Sequence, residues 1–364
     1  MIIDLRSDTV TKPSQEMLEF MMKAKVGDDV YGEDETINEL QQKVAKLFGK
    51  EDALFVPSGT MSNQIAIAIN TQQGDEILCE KNSHIFYYET AAPSIISKVQ
   101  IRTFDAPSGV PSIEQIEPKI RDDIYYYPNT TLFTLENTHN RYGGLVLDNV
   151  KITEIANHLK TKNIKMHLDA ARLWNAHIYS GIPMFDYAQN FDTISLCFSK
   201  GLGTPVGSIL IGDKPTIKKA LKWRKILGGG MRQAGILAAA CIFAMDNNLE
   251  KLKLDHINTK FFADELVSAV SLISNKYGIE NDIIKVKNNI QTNILVIEFS
   301  TSYFDKINFN KFIAKLKTNG ILLNTLDDKT IRLVFHLDIS TEMTQKAISI
   351  FSDCIIETIT EKLS

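Results

Sequence analysis

The sequence predicts an α/β protein of two domains. A large domain over residues 1–250 has a mainly parallel seven-stranded sheet between helices, and a smaller C-terminal α+β domain covers 251–364. Three observations carry this. A chain of 364 residues exceeds one ordinary domain and suits two of unequal size. From residue 53 onward, short apolar runs bounded by Gly, Asp or Pro alternate with helical periods, the pattern of buried strands joined by crossover helices. Beyond about residue 250 this alternation gives way to a long amphipathic stretch and a compact mixture of strands and helices.

In chain order, residues 14–24 and 36–48 read as helices. The second opens with the capping box Thr36-x-x-Glu39 and closes at Gly49, which accepts the left-handed turn that ends helices. Strands follow at 53–56, 76–79, 99–104, 131–135, 164–168, 193–198 and 208–211. Residues 232–246 form a helix whose Ala234, Ala238, Ala239 and Ala240 allow close packing. Residues 249–275 carry Leu252, Ile257, Phe261, Leu266 and Val270 at helical spacing. A strand over 292–299, a helix, strands over 321–326 and 330–335, and a helix from Ser340 complete the small domain.

Composition narrows the function. Forty basic against forty-four acidic residues give a net charge of −4, which argues against a nucleic-acid binder. Cys79, Cys197, Cys241 and Cys354 form no CxxC pair, so reduced thiols in the cytoplasm are expected. Residues 1–8 carry charge by Asp4 and offer no secretory apolar segment, and no apolar run reaches membrane-span length. No pair of histidines has zinc-ligand spacing, and no metal is expected.

Three segments could do chemistry. In Ala53-Leu-Phe-Val-Pro-Ser58-Gly59-Thr60 a strand runs into a helix start, where free N–H groups, two hydroxyls and the positive end of the helix dipole suit a phosphate. A plain helix cap would have the same sequence. In His167-Leu-Asp169-Ala-Ala-Arg172 a carboxylate sits at a strand end, placed to hold a cationic ring nitrogen or to cap a helix. In Ser199-Lys200-Gly-Leu-Gly a lysine follows a buried strand; it is either a surface lysine in a loop, the reading this motif alone favours, or a desolvated amine, which becomes a nucleophile toward carbonyls. A phosphate cup, an acid for a pyridine nitrogen and an amine for a Schiff base together are what pyridoxal 5′-phosphate requires.

At this point the sequence resembles the low-specificity L-threonine aldolases. The resemblance lies in Leu5-Arg-Ser-Asp-Thr-Val-Thr-Lys-Pro13, Val26-Gly-Asp-Asp-Val-Tyr-Gly32, Leu135-Glu-Asn-Thr-His-Asn140, Ser199-Lys-Gly-Leu-Gly-Thr-Pro-Val-Gly207, Gly228-Gly-Gly-Met-Arg-Gln233 and Arg332-Leu-Val-Phe-His-Leu-Asp338. It implies a PLP-dependent transferase-like fold of type I and cleavage of L-threonine and L-allo-threonine to glycine and acetaldehyde. It also implies a small amino-acid substrate and a homotetramer built as a dimer of dimers. Residue by residue, it assigns Lys200 to the Schiff base, Asp169 to the pyridinium nitrogen, and Ser58, Gly59 and Thr60 to the phosphate. His84 stacks on the ring. Ser7, Arg172 and Arg332 hold the substrate carboxylate. Tyr31 leans in from a neighbouring subunit, and Lys225 and Arg232 reach the partner's cofactor region. His139 lies near the substrate hydroxyl.

Two departures stand out. Ala170 follows Asp169 where the family often has Gly, and the loop 121–130, with Tyr125, Tyr126 and Tyr127, differs from the family pattern. The base that takes the hydroxyl proton stays open between His139, His84 and water, with His139 preferred. His167 shares a strand face with Asp169 and reads as a satisfied core histidine. The acidic run Asp28, Asp29, Glu33, Asp34 and Glu35 reads as a solvated turn. β-Elimination or racemisation on the same cofactor, or a non-catalytic binding protein on the same fold, are the competing functions.

Overall fold

A computed structural model describes residues 1–280 and 282–363. The chain divides into two compact units, one of Pro13–Leu249 and one of Met1–Lys12 with Glu250–Ser364. The sequence places the first twelve residues in the large domain while leaving them open to contact with the small one; they group with the smaller unit. Ile3–Asp4 pairs in parallel with Ile321–Leu322, and Val334 N–H donates to Leu5 O at 2.9 Å. Backbone pairing decides the membership.

The larger unit is built on seven strands: β1 (Asp52–Val56), β2 (Glu76–Glu80), β3 (Gln100–Phe104), β4 (Thr130–Glu136), β5 (Lys165–Ala170), β6 (Thr193–Cys197) and β7 (Ser208–Gly212). Their order in the sheet is β1-β7-β6-β5-β4-β2-β3, and only β7 runs antiparallel to its neighbours. The interior strands are buried on both faces, which explains their nearly unbroken apolar runs. Six strands therefore end at one edge, and β7 begins there. The pairs Val56–Ser208, Cys197–Ser208, Ala170–Leu196 and Glu136–Asp169 trace that edge. Ligands of such sheets bind beyond the carboxyl ends of the strands.

Local chemistry corrects one sequence expectation. The helix Glu35–Phe48 is capped by Asp34, whose carboxylate accepts Ile37 N–H, and not by Thr36, whose hydroxyl donates to Lys25 O at 2.7 Å. An aspartate two residues earlier supplies the stronger, charged acceptor at the positive helix end. Gly49 closes the helix at φ 61°.

The acidic run is a solvated turn only in part: Glu33 and Glu35 are exposed, whereas Asp34 and the Asp29 side chain are not. Asp34 is fully buried and also accepts the N–H groups of Gly27 and Gly235. Asp29 pairs with Arg224 at 2.5 Å, both side chains being more than nine-tenths buried. Arg224 also donates to Phe55 O at 2.9 Å. This pair ties the segment before the first long helix to the helix Lys214–Ile226 and to β1.

The smaller unit has a four-stranded antiparallel sheet, in which Ile294–Phe299 pairs with Thr330–Val334 and Ile284–Val286. Helices Leu252–Tyr277, Lys306–Thr318 and Thr341–Leu363 accompany it. Phe262, Phe299, Phe304, Phe309, Phe312 and Phe351 fill its core. The strand expected over 321–326 is two short pieces, Ile321–Leu322 and Asn324–Thr325, because the first pairs with Ile3–Asp4 and the second with Thr330–Val334.

Removing one partner of a buried ion pair strands the other charge, so Arg224→Met should lower stability by about 3 kcal/mol. Chemical denaturation of the two proteins measures this; a loss within error of zero would contradict the structural role given to the pair.

Candidate active site

The candidate phosphate cup lies where β1 runs directly into the helix Gly59–Asn70. Ser58 is the N-cap, with Oγ accepting Met61 N–H at 3.2 Å. Its hydroxyl is therefore spent on the helix, while the amides of Gly59 and Thr60 find no acceptor among the described residues. Beside them, Ser208 Oγ is buried with no partner among the described residues and lies 3.7 Å from where a Cβ on Gly59 would sit. Two open amides, an orphan hydroxyl and a helix N-terminus form an anion site.

Lys200 follows β6 in a half-buried position. Among the described residues its Nζ makes no hydrogen bond or ion pair, so the amine is uncommitted. On the neighbouring strand Asp169 is 4% exposed. Its Oδ1 accepts Ala171 N–H at 3.1 Å, and its Oδ2 accepts Asn63 Nδ2 at 2.9 Å. Ala170 is fully buried on β5, and Arg172 is buried at the start of the helix Leu173–Ser180.

His84 opens a short helix after β2, where its backbone N–H donates to Glu136 Oε2 at 2.6 Å. Its Nδ1 lies 2.9 Å from Glu89 Oε1. His84, Glu136 and Asp169 line one cavity together with Ser83 and Thr134. Burial works against charge on the His84 ring, but the hydrogen bond to Glu89 and the charges of Asp169, Glu89 and Glu136 outweigh it, and its pKa is raised.

His139 sits differently. It is fully buried, its ring 4.4 Å from that of Tyr142, and its Nε2 contacts Glu80 Oε2 at 3.1 Å. Glu80 also accepts Tyr142 OH at 2.7 Å and Asn82 N–H at 2.6 Å. Burial alone would raise the Glu80 pKa; these donors hold it below the ordinary value. His139 Nδ1 has no partner among the described residues.

Lys200, Asp169, Gly59, Thr60, Arg172 and His84 thus all occupy the carboxyl edge of the large sheet or the turns that leave it. Lys225 and Tyr31 are exposed in the same unit. Arg232 is exposed too, and its guanidinium is 3.0 Å from Asp28 Oδ2. Ser7 and Arg332 belong to the smaller unit; Ser7 caps the turn Asp8–Val10, and Arg332 donates to Arg6 O at 3.3 Å. In the loop 121–130, Tyr125 is 98% exposed and Arg121 lies over the Tyr127 ring at 5.4 Å. Sequence reasoning missed Asn63, Gln64 and Glu89, which surround Asp169 and His84. The signal available for Asn63 and Gln64 was a pair of amide side chains just after the strand-to-helix turn; Glu89 carried none.

The family model for β-eliminating lyases matches residues 4–289. A low specificity L-threonine aldolase of Escherichia coli K12 is 39% identical over 342 residues, 94% of this chain and 96% of that protein. A low-specificity L-threonine aldolase of Arabidopsis thaliana is 38% identical, covering 97% of this chain and 96% of its own. The chain belongs to the low-specificity L-threonine aldolase family. Among solved structures, a threonine aldolase of Leishmania major covers 97% of this chain and 99% of its own at a TM-score of 0.77 and 20% identity, a likeness of fold. The expected type I fold, with a large mixed sheet and a smaller C-terminal unit, is the one observed. Among the described residues, no helix is long and apolar enough to cross a membrane. The donor set of this threonine aldolase site fits pyridoxal phosphate: an anion cup, an acid, an aromatic imidazole and an uncommitted amine.

Because Ser58 Oγ already serves the helix, Ser58→Ala should cost about 1 kcal/mol of stability. Its effect on phosphate affinity should be small. Thermal unfolding and cofactor titration measure the two separately; a large loss of affinity at unchanged stability would reverse the assignment.

Proposed function

We infer that the protein cleaves L-threonine and L-allo-threonine to glycine and acetaldehyde with pyridoxal 5′-phosphate, accepting other β-hydroxy-α-amino acids and running in both directions. The observation that supports this best is an uncommitted amine, Lys200, on the strand next to a buried carboxylate, Asp169, at one sheet edge. When bound, pyridoxal phosphate supplies an aldehyde that captures amines and a ring that draws electrons from the bond being broken.

The chain's residues do the rest. Lys200 Nζ, the uncommitted amine, would hold the aldehyde group of the cofactor. Asp169 keeps the ring nitrogen protonated, and the amides of Gly59 and Thr60 hold the phosphate. Arg172 takes the substrate carboxylate, for which a guanidinium fork is suited. The sequence resemblance assigns Ser7 and Arg332 to that carboxylate too. Fixing the carboxylate would orient the bonds at the substrate's Cα.

For the β-hydroxyl proton we propose His84, which lines the cavity with Asp169 and whose ring is one-third exposed. A second reading places the hydroxyl on His139, favoured by its unpartnered Nδ1. Comparison of His84→Asn with His139→Asn separates them, since loss of the base costs about 10²-fold or more in kcat. Tyr31, Lys225 and Arg232, all exposed, are proposed to complete the site of a second copy in a homotetramer. The cytoplasm is the proposed location, on the strength of four reduced cysteines.

Lys200→Ala should abolish turnover and the cofactor's visible absorbance; retained cleavage would refute the assignment. Glycine and acetaldehyde are the expected products from threonine, whereas ammonia and a keto acid would mean β-elimination. If His84 must be neutral to accept the proton, a raised pKa places the acid limb of kcat above about 6.5, the ordinary histidine value. A limb below that value would count against His84.

A further inference from the structure

We propose that Glu89 is a positioning residue for His84, held by Asn63 and His167 so that His84 donates from Nδ1 and presents Nε2 to the substrate. The inference rests on the reading of His84 as the proton acceptor. It starts from Asn63, a residue 2% exposed on the helix Gly59–Asn70. Asn63 Nδ2 lies 2.8 Å from Glu89 Oε1 and 2.9 Å from Asp169 Oδ2. Two carboxylate oxygens require donors, so the amide nitrogen faces them and Oδ1 faces away, 3.1 Å from His167 Nε2.

His167 is fully buried, and burial pushes its pKa down to about 4, so the ring carries one proton at neutral pH. An amide oxygen only accepts, so that proton is on Nε2. Nδ1 then accepts from Thr193 Oγ1 at 2.9 Å, and Thr193 Oγ1 in turn accepts from Asn70 Nδ2 at 3.1 Å. The other tautomer would serve Thr193 O at 3.1 Å but would set two lone pairs against each other at Asn63. Every donor thus points one way, from Asn70 through Thr193, His167 and Asn63 to Glu89 and Asp169.

Glu89, 3% exposed, completes the sequence. Gln64 Nε2 donates to its Oε2 at 2.5 Å, while Oε1 takes Asn63. Both oxygens are acceptors, so His84 Nδ1, 2.9 Å from Oε1, carries a hydrogen. A neutral His84 then has its lone pair on Nε2. The charged groups facing His84 are Glu89, Asp169 and Glu136, with the Tyr88 ring 5.5 Å away. Glu136 hydrogen-bonds the backbone N–H of His84. Asn63 therefore couples the carboxylate of the ring nitrogen to the one that orients the base.

The test is nitrogen NMR of the holoenzyme labelled with ring-¹⁵N histidine. Seven histidines per chain keep the spectrum sparse, and His84→Asn assigns the signal. Above its titration midpoint His84 should show a protonated Nδ1 and a bare Nε2; a protonated Nε2 overturns the proposal. In Glu89→Gln the His84 midpoint should fall, the acid limb of kcat should move with it, and kcat should drop about tenfold or more with KM little changed. An unchanged midpoint overturns the proposal as well. Full turnover by His84→Asn would instead overturn the parent reading, whatever the tautomer.

Discussion

A carboxylate buried at the end of a strand is the constraint around which the large unit's chemistry is arranged. A charge at the position of Asp169, 4% exposed, is costly unless fixed donors replace water. The structure supplies two, the amide of Ala171 and the side chain of Asn63. Asn63 is itself held on its other side by His167, a neutral core histidine. Asn70, Thr193, His167, Asn63, Glu89 and Asp169 form a connected chain of hydrogen bonds, each serving the next, which is the condition under which a buried polar network is tolerated.

Sheet topology explains why the remaining groups gather at the same edge. Six strands deliver their carboxyl ends there, so the segments after β1, β2, β4, β5 and β6 all emerge together. The reversal of β7 brings Ser208 to that edge as well, beside the turn at Gly59. A cup of open amides suits a phosphate, and an unpaired lysine suits an aldehyde. The acids that surround His84 favour the charged ring, and Glu89 orients it.

Much of this was legible in the sequence. The seven strands are apolar runs with clear punctuation, and Asp169, Lys200 and Gly59 stand at strand ends where topology makes position informative. His167 was legible as a satisfied core histidine and is one, with partners on both nitrogens. Other features depend on contacts distant in sequence. Ile3–Asp4 is a strand only because Ile321–Leu322 pairs with it. Asp29 looks solvated until Arg224 is brought to it. Asn63 and Glu89 have no local motif; an asparagine within an apolar helix announces only that it needs partners, not which ones. Thr36 matched a capping pattern, yet Asp34, two residues earlier, does the capping.

The role proposed for Asp169 is to keep a ring nitrogen protonated at this edge. The most direct measurement is the ¹⁵N shift of the pyridine nitrogen in holoenzyme reconstituted with labelled cofactor, recorded for the wild type and Asp169→Ala at neutral pH. A protonated nitrogen in the wild type that loses its proton in the variant is the predicted result. An unprotonated nitrogen in the wild type, or one indifferent to the loss of Asp169, would contradict the account.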